Sequence, residues 1–205
     1  VEHEDQQVEQ IKQFMREYGI WIGAGVVIGL GSLFAWRAYD ASQIEAQQQR
    51  TAAYEQISQQ VQQGDEEALA QAEDVLSQLD ESSQAALAHL QLARQAVDAD
   101  DLSSAADHLY SAQQKAGSSV VSGLATTRLA RVQLALGEYD AALQSLQQSL
   151  PQSFTAQVEE IRGDVYLAQG NPEQARAAYQ AAVDLGGAQS SPGLQFKFEN
   201  LAGEL

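Results

Sequence analysis

Few residues in this chain could carry out chemistry. The three histidines, His3, His89 and His108, share no metal-ligand spacing. An imidazole needs a second and third ligand at fixed reach to hold a metal, and no sequence window supplies them. His89 and His108 would approach each other if they sat on paired helices, a common setting for a surface or capping histidine. The densest acidic run is Asp98-Ala99-Asp100-Asp101. It lacks the ligand spacing of a calcium loop and suits a turn between helices. With no cysteine in 205 residues, thiolate catalysis, disulfides and cysteine-based zinc sites are excluded. No Ser-His-Asp or paired-carboxylate arrangement can be argued from spacing, so no enzyme, cofactor or metal site is expected.

The other spacing with chemical meaning is made of glycines. Gly19, Gly23, Gly25, Gly29 and Gly31 lie within "YGIWIGAGVVIGLGSLFAWR", Tyr18 to Arg37, and form the G-x-x-x-G pairs Gly19/Gly23 and Gly25/Gly29. Small residues four apart let helices approach closely in lipid, so these glycines are candidates for helix contact or self-association. From Tyr18 to Trp36 the run holds no charge. As a helix it would span about 28 Å, close to the hydrocarbon thickness of a bilayer. Tyr18 and Trp21 mark one end, Trp36 and Tyr39 the other, as interfacial aromatic belts do. An acidic N-terminal flank and the lack of a clean small-residue cleavage site argue against a cleaved leader. No strand precedes the run, so it is not a nucleotide-binding loop. One uncleaved transmembrane anchor over 18–37 is expected.

Lys12 and Arg16 before the run balance Arg37 and Arg50 after it, so charge leaves the orientation open. Val8, Ile11, Met15 and Tyr18 recur at helical spacing, which makes 1–17 a short amphipathic segment. The chain starts with Val, from which a few missing N-terminal residues are expected.

The elements behind these residues are helical throughout. Ala, Gln and Leu dominate and only three prolines occur. Residues 41–205 carry 8 Lys/Arg against 22 Asp/Glu, a net charge of −14. Such a surface disfavours nucleic acid and flat contact with anionic lipid. A long helix is expected to run past the anchor to Gln63 and stop at Gly64-Asp65, with linking helices over 38–85.

A helix-hairpin rhythm follows over 86–188, in "LQLARQAVDADDLSSAADHLYSAQ", "TRLARVQLALGEYDAALQSLQQSL" and "EEIRGDVYLAQGNPEQARAAYQAAV". Its turn residues Asp100, Gly137 and Gly170 are 37 and 33 residues apart, near the tetratricopeptide period of about 34. Extra residues in the first repeat fall around Ser118. Small residues Ala93, Ala130 and Gly163 should admit the large residues Leu109, Leu146 and Tyr179. Three such repeats form a superhelix whose concave face binds a peptide or helix. Arg94, Arg131 and Asp164, one past each small position, should face that groove, with Thr127, Leu134, Glu160 and Leu167 beside them. The Lys/Asn set that captures acidic C-terminal tails is absent. The last segment, 189–205, reads as a cap packing Phe196, Phe198 and Leu201 on the final repeat.

Together "DQQVEQIKQFMREYG", "GVVIGLG", "FAWRAYDASQ", "RLARVQLALGEYDAAL" and "IRGDVYLAQGNPEQARAAYQAAV" resemble, nearly end to end, the YfgM-like family of ancillary SecYEG translocon subunits. The resemblance implies a single-pass type II protein of the bacterial inner membrane, with a cytoplasmic N-terminus and a periplasmic repeat domain. It implies association with the SecYEG translocon and with a PpiD-like periplasmic chaperone, help for newly exported client polypeptides, and no catalysis. It carries no partner-binding residue. An envelope scaffold for cell division or cofactor assembly could use the same anchor and repeats.

Overall fold

Short polar side chains start four of the helices, and left-handed residues follow several of them. A computed structural model describes residues 2–79, 82–117 and 119–203. Its helices are α1 (Glu2–Gln63), α2 (Glu66–Ser77), α3 (Ser83–Asp98), α4 (Leu102–Lys115), α5 (Val120–Ala135), α6 (Tyr139–Ser145), α7 (Thr155–Ala168), α8 (Pro172–Asp184) and α9 (Pro192–Gly203). Among the described residues there is no strand. The fold is all-α. The chain divides into two units, Val1–Gln49 and Arg50–Leu205.

In the first unit, the apolar run of α1 is exposed along its length: Ile20 is 82%, Trp21 77% and Phe34 72% accessible. A core helix of a soluble domain would be covered, whereas this one is long and apolar enough to cross a membrane and none of it is buried. Ser32 turns its hydroxyl back to the Ile28 carbonyl at 2.7 Å, which keeps that polar group satisfied without water. The side chains of His3, Val8 and Ile11 lie outside the described residues.

In the second unit, Asp65, Ser82, Asp101 and Ser119 each accept a hydrogen bond from the backbone N–H three residues on, capping α2, α3, α4 and α5. Asp101 also accepts the Ser104 hydroxyl at 2.6 Å. These bonds with Ser104 hold the Asp101 carboxyl below its ordinary range. The C-terminal part of α1 packs Ile57 against Ala72, Leu76, Ala85, Ala88 and Leu92. α1 stops at Gln63, and Gly64 follows at φ +72°.

The three repeat turns share one geometry. Asp100, Gly137 and Gly170 have φ of 62°, 78° and 77°. At each, the next residue donates its N–H to the carbonyl five back: Asp101 to Ala96, Glu138 to Gln133 and Asn171 to Tyr166. The turn residue itself donates to the carbonyl three back. This paired closure satisfies the orphan carbonyls of a helix end and needs a left-handed residue at its centre. Glycine reaches that conformation without steric cost, and aspartate is one of the few other residues that tolerate it.

α3 packs on α4, α4 on α5, α5 on α6 and α7 on α8. One core joins Ala93, Ala105, Leu109, Ala125 and Leu129. The next joins Ala130, Ala142, Leu146, Ile161 and Val165, and the last Ala175, Tyr179, Ala182, Leu194 and Leu201. Leu194 and Leu201 come from α9, so the C-terminal helix closes the last core; Phe198 packs against it while Phe196 points outward. Ser118 lies outside the described residues.

Candidate functional site

The first helices of the three repeats, α3, α5 and α7, present the positions expected in the groove, and the structure treats them unequally. Arg94 of α3 and Arg131 of α5 come together on one cleft. Its floor is Leu90, Ala93, Val97, Leu109 and Val132, and its volume is about 380 Å³. Arg128, one turn before Arg131, is a third guanidinium on the rim. Arg94 makes a loose, exposed contact of 3.8 Å with Asp98, while Arg128 and Arg131 are exposed. An apolar floor under three cations is chemically fitted to an apolar group joined to an anion.

Thr127 is not on that rim. It is fully buried in α5 and donates its hydroxyl to the Gly123 carbonyl at 2.9 Å. Leu134 is half-buried and packs against the core of Ala130 and Leu146. Leu167 is 44% exposed at the end of α7.

Glu160 and Asp164 of α7 are taken up by the chain itself. Lys197 of α9 donates to Glu160 at 2.9 Å and to both oxygens of Asp164 at 2.7 and 2.9 Å. Ser191 donates to Glu160, and the Tyr179 hydroxyl donates to Asp164 at 2.8 Å. Glu160 is buried, so its charge requires these partners. Burial works against the Lys197 ammonium, but Asp164 and Glu160 outweigh it and its pKa is raised. Burial, reinforced by Asp164, also raises the Tyr179 phenol, which stays protonated. The result separates a basic, open half at α3 and α5 from an internally paired half at α7.

Spacing could have found Arg128, since a residue three before Arg131 shares its helical face. No local signal points to Lys197, which lies 33 residues beyond Asp164. Close packing at Gly123 was also missed: a Cβ there would lie 2.5 Å from the Phe154 ring.

The histidine pair does form. His89 Nδ1 and His108 Nδ1 are 3.2 Å apart, one donating and the other accepting. His108 Nε2 is 3.6 Å from Glu73, and the pair borders a cleft with Asp107 and Lys115. Burial pushes His108 down against the opposing pull of Glu73 and Asp107. Among the described residues no three potential ligands come together to hold a metal. In α1, Gly19, Gly23, Gly25 and Gly29 have open space where a side chain would begin.

A long, exposed apolar helix and a chain of helix hairpins define a helical-repeat protein with a candidate membrane-spanning helix. A family profile described as tetratricopeptide repeat-like domain matches residues 12–203. The "Ancillary SecYEG translocon subunit" of Escherichia coli K12 is 32% identical over 98% of both chains. The protein of the same name from Haemophilus influenzae is 29% identical over 97% of both. That from Neisseria gonorrhoeae is 29% identical over 88% of both. The chain belongs to this tetratricopeptide repeat-like family of YfgM-type ancillary translocon subunits.

Proposed function

We propose that this chain is an ancillary subunit of the SecYEG translocon, held in the bacterial inner membrane by the helix over 18–37. In this reading 1–17 is cytoplasmic, 38–85 links the anchor to the repeats, 86–188 is the periplasmic interaction surface and 189–205 is its cap. The repeats receive newly exported polypeptides and a PpiD-like chaperone rather than catalysing a reaction. End-to-end similarity to proteins named for that translocon is the observation that carries the proposal. The exposed apolar run and the open groove fit an anchor and a docking surface respectively.

The anchor has a physical purpose in this scheme. Tethering beside a channel raises the local concentration of weak contacts, so the groove need not bind tightly. Gly19/Gly23 and Gly25/Gly29 supply two small-residue pairs, on different faces of the helix, at which a helix of the channel could pack closely. Arg94, Arg131 and Leu167 are the groove positions open to a partner, whereas Thr127, Leu134, Glu160 and Asp164 shape the groove from within.

The test is a mild-detergent pull-down of the intact chain beside one whose 18–37 segment is replaced by an unrelated membrane helix. Recovery of SecYEG with the intact chain supports the proposal, and loss on the swap assigns the contact to the 18–37 segment. Absence of the channel from both preparations would overturn it.

A further inference from the structure

Three cations of a strongly acidic domain converge on one apolar cleft, and the rest are already engaged. Residues 41–205 contain eight Lys and Arg. Arg162 is bonded to Glu159, Lys197 to Asp164 and Glu160, and Arg176 lies 5.8 Å over the Phe198 ring. Arg50 and Lys115 have interactions of their own. The remaining three, Arg94, Arg128 and Arg131, rim the cleft between α3 and α5. Among the described residues, Arg94 alone of these has a carboxylate contact, the exposed one to Asp98. A positive rim surrounded by net negative surface focuses attraction onto this spot and repels anionic partners elsewhere.

We propose that this cleft binds an acidic amphipathic segment of another polypeptide, with carboxylates set about one helical turn from a large apolar side chain. The inference rests on the repeat domain being an interaction module, and it names the chemistry of that module's partner. The apolar side chain would cover Leu90, Val97 and Val132, while its carboxylates reach the guanidiniums, which match carboxylate geometry in a bidentate way. A cleft of about 380 Å³ falls in the range of roughly 300–1,000 Å³ typical of ligand sites. An anionic bilayer is disfavoured because the surrounding surface carries a net charge of −14 over 41–205. The α7 end of the same face does not extend the site, since Glu160 and Asp164 are already paired with Lys197 and that end carries no open cation among the described residues.

The experiment uses the full chain in nanodiscs of zwitterionic lipid. Fluorescence anisotropy follows three labelled 14-residue peptides: one with Glu and Leu on one helical face, one with Lys for each Glu, and one with Ser for each Leu. Only the first should bind, more weakly as salt rises. Arg128→Gln with Arg131→Gln should weaken it at least tenfold, in keeping with the strength of charge-assisted hydrogen bonds. Both side chains are exposed, so the thermal melt should be unchanged. Equal binding of the Lys or Ser peptide, no binding of the first at 1 mM, or no effect of the double substitution would overturn the proposal. So would displacement by phosphatidylglycerol vesicles, or self-association abolished by the same substitutions, which would make lipid or a second copy the occupant. A pull-down of the double variant separates the two ideas: SecYEG recovered with it leaves the translocon reading intact whatever the anisotropy shows.

Discussion

Single residues set the close approaches on which the repeats depend. A Cβ at Gly163 would run into the ring of Tyr179, which is fully buried and tied to Asp164. Gly163→Ala should therefore destabilise the domain by about 1–3 kcal/mol, the usual cost of overpacking, read as a lowered denaturant midpoint. Asp100 offers the opposite case. It occupies the left-handed turn position that Gly137 and Gly170 fill in the other repeats. Asp100→Gly should be neutral to stabilising by up to about 1 kcal/mol, while Gly137→Ala should cost about that much. A calorimetric comparison of the two variants checks the sign, and destabilisation by Asp100→Gly would mean that its side chain contributes more than its backbone costs.

At the scale of elements, two helix contacts depend on protonation. α3 and α4 meet at His89 and His108, whose facing nitrogens need one donor and one acceptor. Protonating both leaves two donors opposed. Because burial depresses His108 below its ordinary 6.5, the unfolded chain takes up that proton at higher pH than the folded one. Stability should fall as pH drops below about 6.5, and the decline should end once pH is below the folded value. His108→Asn should flatten this slope in urea titrations between pH 7 and 5, whereas an unchanged slope would assign it to other groups. α7 and α9 meet at Lys197, whose pKa is raised. Its contribution is complete below its ordinary 10.5 and is lost as pH rises through the folded value. Lys197→Met leaves the buried Glu160 with Ser191 alone, and should destabilise the docking of α9 by about 1–3 kcal/mol. Faster amide exchange in α9 than in α3 would report it.

For the whole molecule, the proposed role divides the labour between the exposed apolar run and the repeats. Removing 18–37 should leave the thermal melt of residues 50–203 unchanged, because the cores of that unit draw on residues from Tyr54 onward. In the proposed role it should nevertheless abolish most of the effect on export, since local concentration would be lost. Equal rescue by a periplasmic, anchorless chain would contradict the tethering argument.

Much of this architecture was legible in order along the chain, because helix periodicity, chain length and turn chemistry are local. The charge-free run from Tyr18 to Trp36 identified a membrane-spanning candidate, and Asp100, Gly137 and Gly170 marked the three turns that prove left-handed. The same periodicity put Arg94, Arg131, Thr127, Glu160 and Asp164 on related faces. It did not say which of them remain open. Thr127 is turned into the core, and Glu160 and Asp164 are claimed by a lysine 37 and 33 residues away. Those outcomes depend on how successive hairpins stack and where α9 returns, so they exist only once distant segments have met. Burial and ion pairing are properties of that meeting, which is why tertiary structure alone decides that the open cationic cleft lies between α3 and α5.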